Sequence, residues 1–185
     1  MTKYQSIKLS GFLMIITGIF LLASPFVPSE AIQFTVGGLM MLIAGSALFS
    51  AYKSRSIQLP FKYHEMHAVG LAMYGLVILI FATNITKFIN ITTCFFIYYG
   101  TAELIFCFQL LNQRAKLNLV MIFVRSFMAV SIYFATLFII NSSGIHQNRS
   151  LQICGIMFIF SAMNMFLYNV ILQKFEIPTG SSRTV

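Results

Sequence analysis

Apolar residues along this chain do not alternate with polar ones but gather in six runs, at about 9–26, 31–52, 67–84, 88–111, 118–140 and 150–172. Each run is close to the ~17–25 residues that an α-helix needs to cross a hydrocarbon core. They are apolar on every face, whereas the strands of a membrane barrel alternate with period two, so the pattern predicts an all-α protein with six transmembrane helices. Joining successive helices through short polar breaks gives three helical hairpins, 9–52, 67–111 and 118–172, in one membrane domain spanning 1–185, with 173–185 as a cytoplasmic tail. Lys3 and Lys8 before the first run, with Ala23 and Ser24 near its end, would also suit a cleaved signal peptide. The run instead turns through Pro25-Phe-Val-Pro28 into a second helix within a few residues, so it is read as a span.

Composition narrows the class further. Of 185 residues, 58% are hydrophobic and 9% charged, with a mean hydropathy of +0.86. An ordinary soluble chain carries about 25% charge. This balance excludes a soluble enzyme, a disordered tail and a disulfide scaffold. The net charge of +8 would point to nucleic acid in a soluble protein, yet the cations are scattered between apolar runs and form no basic face. The expected partner is therefore the lipid bilayer and not nucleic acid, with a protein partner or a second copy left open. Cys94, Cys107 and Cys154 all fall inside apolar runs, without a Cys-x-x-Cys or Cys/His cluster, and read as packing residues.

Cytoplasmic loops carry an excess of Lys and Arg, which gives the orientation. Lys3, Lys8, Lys53, Arg55, Lys62, Arg114, Lys116, Lys174 and Arg183 fall on one side of a six-helix alternation, and only Lys87 and Arg149 on the other. Both termini are expected in the cytoplasm. Sequons at Asn84, Asn90, Asn141 and Asn148 lie in or near the outer loops, where short polar segments produce such matches by chance.

Helices two, four and six share a spacing: Gly38-Leu-Met-Met-Leu-Ile-Ala-Gly45, Thr93-Cys-Phe-Phe-Ile-Tyr-Tyr-Gly100 and Gly155-Ile-Met-Phe-Ile-Phe-Ser-Ala162. Gly11 to Gly18 and Ala68 to Gly75 repeat it in helices one and three, while helix five has no glycine. Seven residues is close to two turns, so each pair lies on one stripe where a neighbouring helix can approach closely. Gly11, Gly18, Gly38, Gly45, Gly75, Gly100 and Gly155 are the expected helix-packing positions. A hairpin begins and ends on the same side of the membrane, so three such copies would be parallel repeats about an axis along the membrane normal.

The stretch Thr17-Gly-Ile-Phe-Leu-Leu-Ala-Ser-Pro-Phe-Val27, followed by Val36-Gly-Gly-Leu-Met-Met-Leu-Ile-Ala-Gly-Ser-Ala-Leu-Phe49, resembles the HdeD-like family of small bacterial membrane proteins. The resemblance extends weakly over the whole chain as three hairpins. It implies a six-span protein of the bacterial inner membrane, linked in the namesake branch to acid resistance, and no motif in this chain would place a site shared by the family. Arg125 in helix five, and the long polar break between helices five and six, depart from the family pattern.

Glu103 and Arg125 are the only acidic and basic residues well inside the apolar runs, and charges at such depth are functional candidates. Each lies eleven residues from Arg114, so in adjacent antiparallel helices both would sit at one level. They form a candidate intramembrane ion pair, either a structural lock or a polar path in which Glu103 accepts protons or Arg125 binds an anion. His64-Glu65-Met-His67 reads as a solvated turn at the foot of helix three, since two histidines without further ligands make no zinc site. His146 falls in the expected outer loop and reads as an ordinary loop residue rather than a sensor of external acid. Ser161, Asn164 and Asn169 are expected to bond across helices. No Walker loop, nucleophile elbow, zincin helix or paired-carboxylate motif occurs, so no catalytic residue, metal or cofactor is expected. Two functions follow: a non-enzymatic membrane protein supporting acid or envelope stress tolerance, or a small transporter or channel for protons or a small solute.

Overall fold

The computed structural model describes residues 2–54, 63–112, 119–141 and 147–176. They form six α-helices: α1 (Lys3–Leu22), α2 (Ser29–Lys53), α3 (Tyr63–Phe81), α4 (Ile85–Asn112), α5 (Leu119–Asn141) and α6 (Gln147–Glu176). All six are long and apolar enough to cross a membrane. The outward surface is apolar too, with Phe12, Phe34, Phe123, Phe127, Phe134 and Phe138 all more than half exposed. That is the surface of a multi-pass protein solvated by lipid, since a water-soluble monomer rarely exposes so much contiguous apolar area.

Helix ends are marked by local chemistry. Thr2 and Gln5 form a capping box that starts α1 well before its apolar run. Pro25 lies in a short 3-10 turn (Ser24–Phe26), and Pro28 caps α2. Asn84 accepts a hydrogen bond from the Lys87 backbone N–H at 2.8 Å, opening α4. Within the spans, Thr17, Thr92, Thr136 and Ser161 donate to the carbonyl four residues back, which satisfies each hydroxyl without water.

Successive helices are neighbours in space and α6 closes on α1, giving a ring of six. The most extensive packing joins α1 to α6 and α2 to α3, while α3 with α4 and α5 with α6 are the loosest adjacent pairs. Glycine explains the first two. A Cβ on Gly155 would lie 2.7 Å from the Gly18 carbonyl oxygen, and one on Gly18 would lie 2.7 Å from that of Gly155, so α1 and α6 cross backbone to backbone. At the α2–α3 crossing a Cβ on Gly75 would come within 3.3 Å of the Gly37 carbonyl oxygen, and Leu79 fills the space over Gly37. Gly11 faces the Phe166 ring, and Gly100 faces Tyr133 and the Ala129 carbonyl of α5.

Two expected packing glycines do not pack. Gly38 and Gly45 have no neighbour within 4 Å of where a Cβ would stand. The small residues that α2 turns inward are Gly37 and Ala44, one position earlier and still seven apart, and both are buried. Spacing alone could not separate these registers, because α2 carries glycine at both 37 and 38 and only the neighbouring helix chooses the stripe. The seam between α1 and α2 uses serine instead: Ser6 donates to the Ser46 carbonyl, Ser10 and Ser46 share a hydrogen bond at 2.6 Å, and Ser50 donates to the Lys3 carbonyl at 3.2 Å.

Candidate functional site

Glu103 lies nine residues before the end of α4 and Arg125 six residues into α5, so both are about 9–14 Å deep at 1.5 Å per residue. The structure brings them together with neither side chain exposed. Arg125 Nε donates to Glu103 Oε2 at 2.6 Å and Nη2 to Oε1 at 3.1 Å, the parallel two-point geometry that makes arginine–carboxylate pairs strong. A third donor comes from another helix: the Tyr63 hydroxyl donates to Glu103 Oε1.

Aromatic rings enclose the pair. The guanidinium carbon stands 4.6 Å from the centroid of Phe106, 4.9 Å from Tyr63 and 5.6 Å from Tyr168, so the cation lies against π-faces contributed by α4, α3 and α6. Four helices therefore meet on one charge. Glu103 has a donor on each oxygen and no solvent contact, so its carboxyl group is held in place from two other helices.

The histidines are not a solvated turn. α3 begins at Tyr63, four residues before the apolar run, and the extra turn carries His64 and His67 into the bundle at 4% and 2% exposure. His67 stacks on Tyr63 with centroids 5.7 Å apart and meets Tyr99 edge-on at 5.2 Å, and His64 stacks on Tyr168 at 4.9 Å. The sequence held a signal for this. Tyr63, His67, Ala68, Leu71, Tyr74 and Gly75 recur at helical spacing and are all buried, so the periodicity runs back past the last apolar residue. Tyr63, Tyr99, Phe106 and Tyr168 were not singled out from sequence, since an aromatic in an apolar run looks the same whether it faces a charge or lipid.

On α6, Ser161, Asn164 and Tyr168 share the inward face. The Tyr99 hydroxyl donates to the Ser161 carbonyl at 3.3 Å and stands beside Asn164 and Glu103. Contrary to expectation, the Ser161 hydroxyl bonds within its own helix, and neither the Asn164 amide nor Asn169 Oδ1 finds a hydrogen-bonding partner among the described residues. Beyond this cluster, toward the opposite face of the membrane, Tyr74, Phe95, Phe96 and Phe158 form an aromatic layer, with Tyr74 on Phe95 at 4.3 Å and Phe96 on Phe158 at 4.8 Å. Cys107 and Cys154 are buried packing residues, and Cys94 faces outward. Among the described residues no group of three His, Cys, Asp or Glu gathers to hold a metal. His146, Arg114 and Lys116 lie outside the described residues. Compared with known proteins, the chain matches no family model, no curated protein and no solved structure.

Proposed function

We propose that this chain is a bacterial inner-membrane protein with both termini in the cytoplasm, which works through its membrane domain without enzymatic turnover and supports acid or envelope stress tolerance. The observation that carries the non-enzymatic part is the Glu103–Arg125 pair, held by a two-point bond, a tyrosine hydroxyl and three rings. A carboxylate so engaged is poorly placed for turnover, and a buried pair of this kind fixes which helices meet. The stress-tolerance part draws on the resemblance of residues 17–49 to HdeD-like proteins. Parallel repeats are supported by buried small residues seven apart in all three even-numbered helices: Gly37 and Ala44, Thr93 and Gly100, Gly155 and Ala162. In that register Ala47 and Met165 are the counterparts of Glu103, so the charge belongs to one copy only.

Survival of an acid challenge by cells carrying the wild-type chain or the double variant Glu103→Gln/Arg125→Met tests the function. The double variant is expected to protect as wild type does, because it replaces a lock and not a carrier. Loss of protection with the fold intact would overturn the reading.

Orientation is tested by single-cysteine labelling in a background without Cys94, Cys107 and Cys154. Gln173→Cys should react only with reagent supplied to the cytoplasmic side and Thr83→Cys only from outside. The reverse pattern would invert the topology.

A second reading, a small transporter or channel for protons or a small solute using Glu103 and Arg125, draws on polar atoms beside the pair that make no hydrogen bond within the described chain, Arg125 Nη1 among them. Proton flux in vesicles of purified protein, abolished by Glu103→Gln, would favour it over the first.

A further inference from the structure

The ring of helices divides unequally. Backbone crossings at glycine bind α6 to α1 and α2 to α3, and the serine ladder joins α1 to α2, so α6, α1, α2 and α3 form one continuous block. The α4 and α5 helices form a pair clasped by Glu103 and Arg125. The two seams between pair and block, α3 with α4 and α5 with α6, are the loosest adjacent contacts of the ring.

Unpaired polar atoms collect where those seams meet. Among the described residues, His64 Nδ1 and Nε2, His67 Nε2, Asn164 Oδ1 and Nδ2, the Tyr168 hydroxyl and Arg125 Nη1 make no hydrogen bond, and their side chains are 0–4% exposed. Native proteins bury few such groups because each is costly to leave unmade. Elsewhere in the spans the hydroxyls of Thr17, Thr92 and Thr136 are satisfied by their own helices, and the unpaired atoms, Gln109 Oε1 and Asn169 Oδ1, are single rather than gathered.

We propose that this seam is a binding site for water, or for a small uncharged solute that hydrogen-bonds as water does, held between Asn164, His67, His64, Tyr168 and Arg125 Nη1. The charge of the site follows from its neighbours. Glu103 already balances Arg125, so an anion would find no uncompensated cation and a cation would face the guanidinium. The atoms offered are donors and acceptors together, Arg125 Nη1 and Asn164 Nδ2 on one side of the ledger and Asn164 Oδ1 and a histidine ring nitrogen on the other, which suits a ligand that both gives and accepts. The layer of Tyr74, Phe95, Phe96 and Phe158 closes the far side of the cluster. The site stands whichever reading of the activity holds, because bound water need not be carried.

Asn164→Leu tests it by the sign of a shift. If the amide is bridged by ligand, leucine removes those bonds and the melting temperature in detergent falls by about 2–4 °C or more. If the seam is dry, leucine of similar size relieves an unpaired amide and the melting temperature rises. Microsecond hydroxyl-radical footprinting of the wild-type protein gives a second measurement that needs no variant. Tyr168, His67 and Tyr99 should be modified well above Phe96 and Phe158, although all are comparably buried. A footprint equal in native membranes and in dialysed protein identifies water, and one that appears only after dialysis identifies a solute that had occupied the site. A rise in melting temperature for Asn164→Leu, or modification of Tyr168, His67 and Tyr99 no greater than that of Phe96 and Phe158, overturns the proposal.

Discussion

Arg125→Met is expected to lower the unfolding free energy in detergent by about 3–5 kcal/mol, the cost of leaving one member of a buried pair without its partner. The Glu103 carboxyl would lose both guanidinium bonds and keep the Tyr63 hydroxyl, in a setting of rings and without solvent contact. Glu103→Gln should cost less, because the amide oxygen still accepts from Tyr63 or Arg125 while the guanidinium retains the faces of Phe106, Tyr63 and Tyr168. The double variant Glu103→Gln/Arg125→Met should be more stable than Arg125→Met alone, since neutral groups of similar size replace both charges. Unfolding of the four proteins closes a double-mutant cycle, and simple additivity of the two single effects would mean that the pair contributes no coupling. Tyr63→Phe adds a check on direction: removing the third donor should weaken α3 against α4 without unpairing the charges.

The largest steric effect belongs to Gly155. With a Cβ 2.7 Å from the Gly18 carbonyl oxygen and 3.1 Å from the Leu22 nitrogen, Gly155→Ala forces two backbones apart. Overpacking of that kind costs about 1–3 kcal/mol, and Gly155→Leu should prevent α1 from closing on α6 altogether. Gly45→Ala is the control. No atom stands within 4 Å of its Cβ position, and alanine is the better helix former by about 0.5–1 kcal/mol, so this substitution should be neutral or stabilising. Melting temperatures of the two alanine variants decide the matter. Equal damage at both positions would mean that the stripe on α2 runs through Gly38 and Gly45 after all.

These contrasts mark how far the sequence reaches. Six spans were legible because bilayer thickness and the demand for internally satisfied backbone impose a length and an all-round apolarity that no other structure produces. The candidate pair was legible for a related reason: Glu103 and Arg125 are conspicuous against apolar runs, and equal distance from a turn puts two residues at equal depth. What surrounds them was not. Tyr63, Phe106 and Tyr168 come from three helices, and an aromatic carries no mark in the sequence of whether it faces lipid or a guanidinium. His64 and His67 looked like loop residues because hydropathy fades before the helix does, whereas helical periodicity continues back to Tyr63.

The glycine stripes divide in the same way. Spacing by itself determined that small residues recur two turns apart, since that follows from 3.6 residues per turn. Which stripe is buried is decided by rotation of the helix against its neighbours, a tertiary quantity. One residue is a 100° turn of the face, enough to send Gly45 outward and bring Ala44 in. Lipid is apolar in every direction and does not orient a helix by hydrophobicity, so that rotation comes only from close packing and polar contacts between helices. For this reason the tertiary structure, and not the sequence, chose Gly37 over Gly38 and gathered His67, Glu103, Arg125 and Asn164 into one seam.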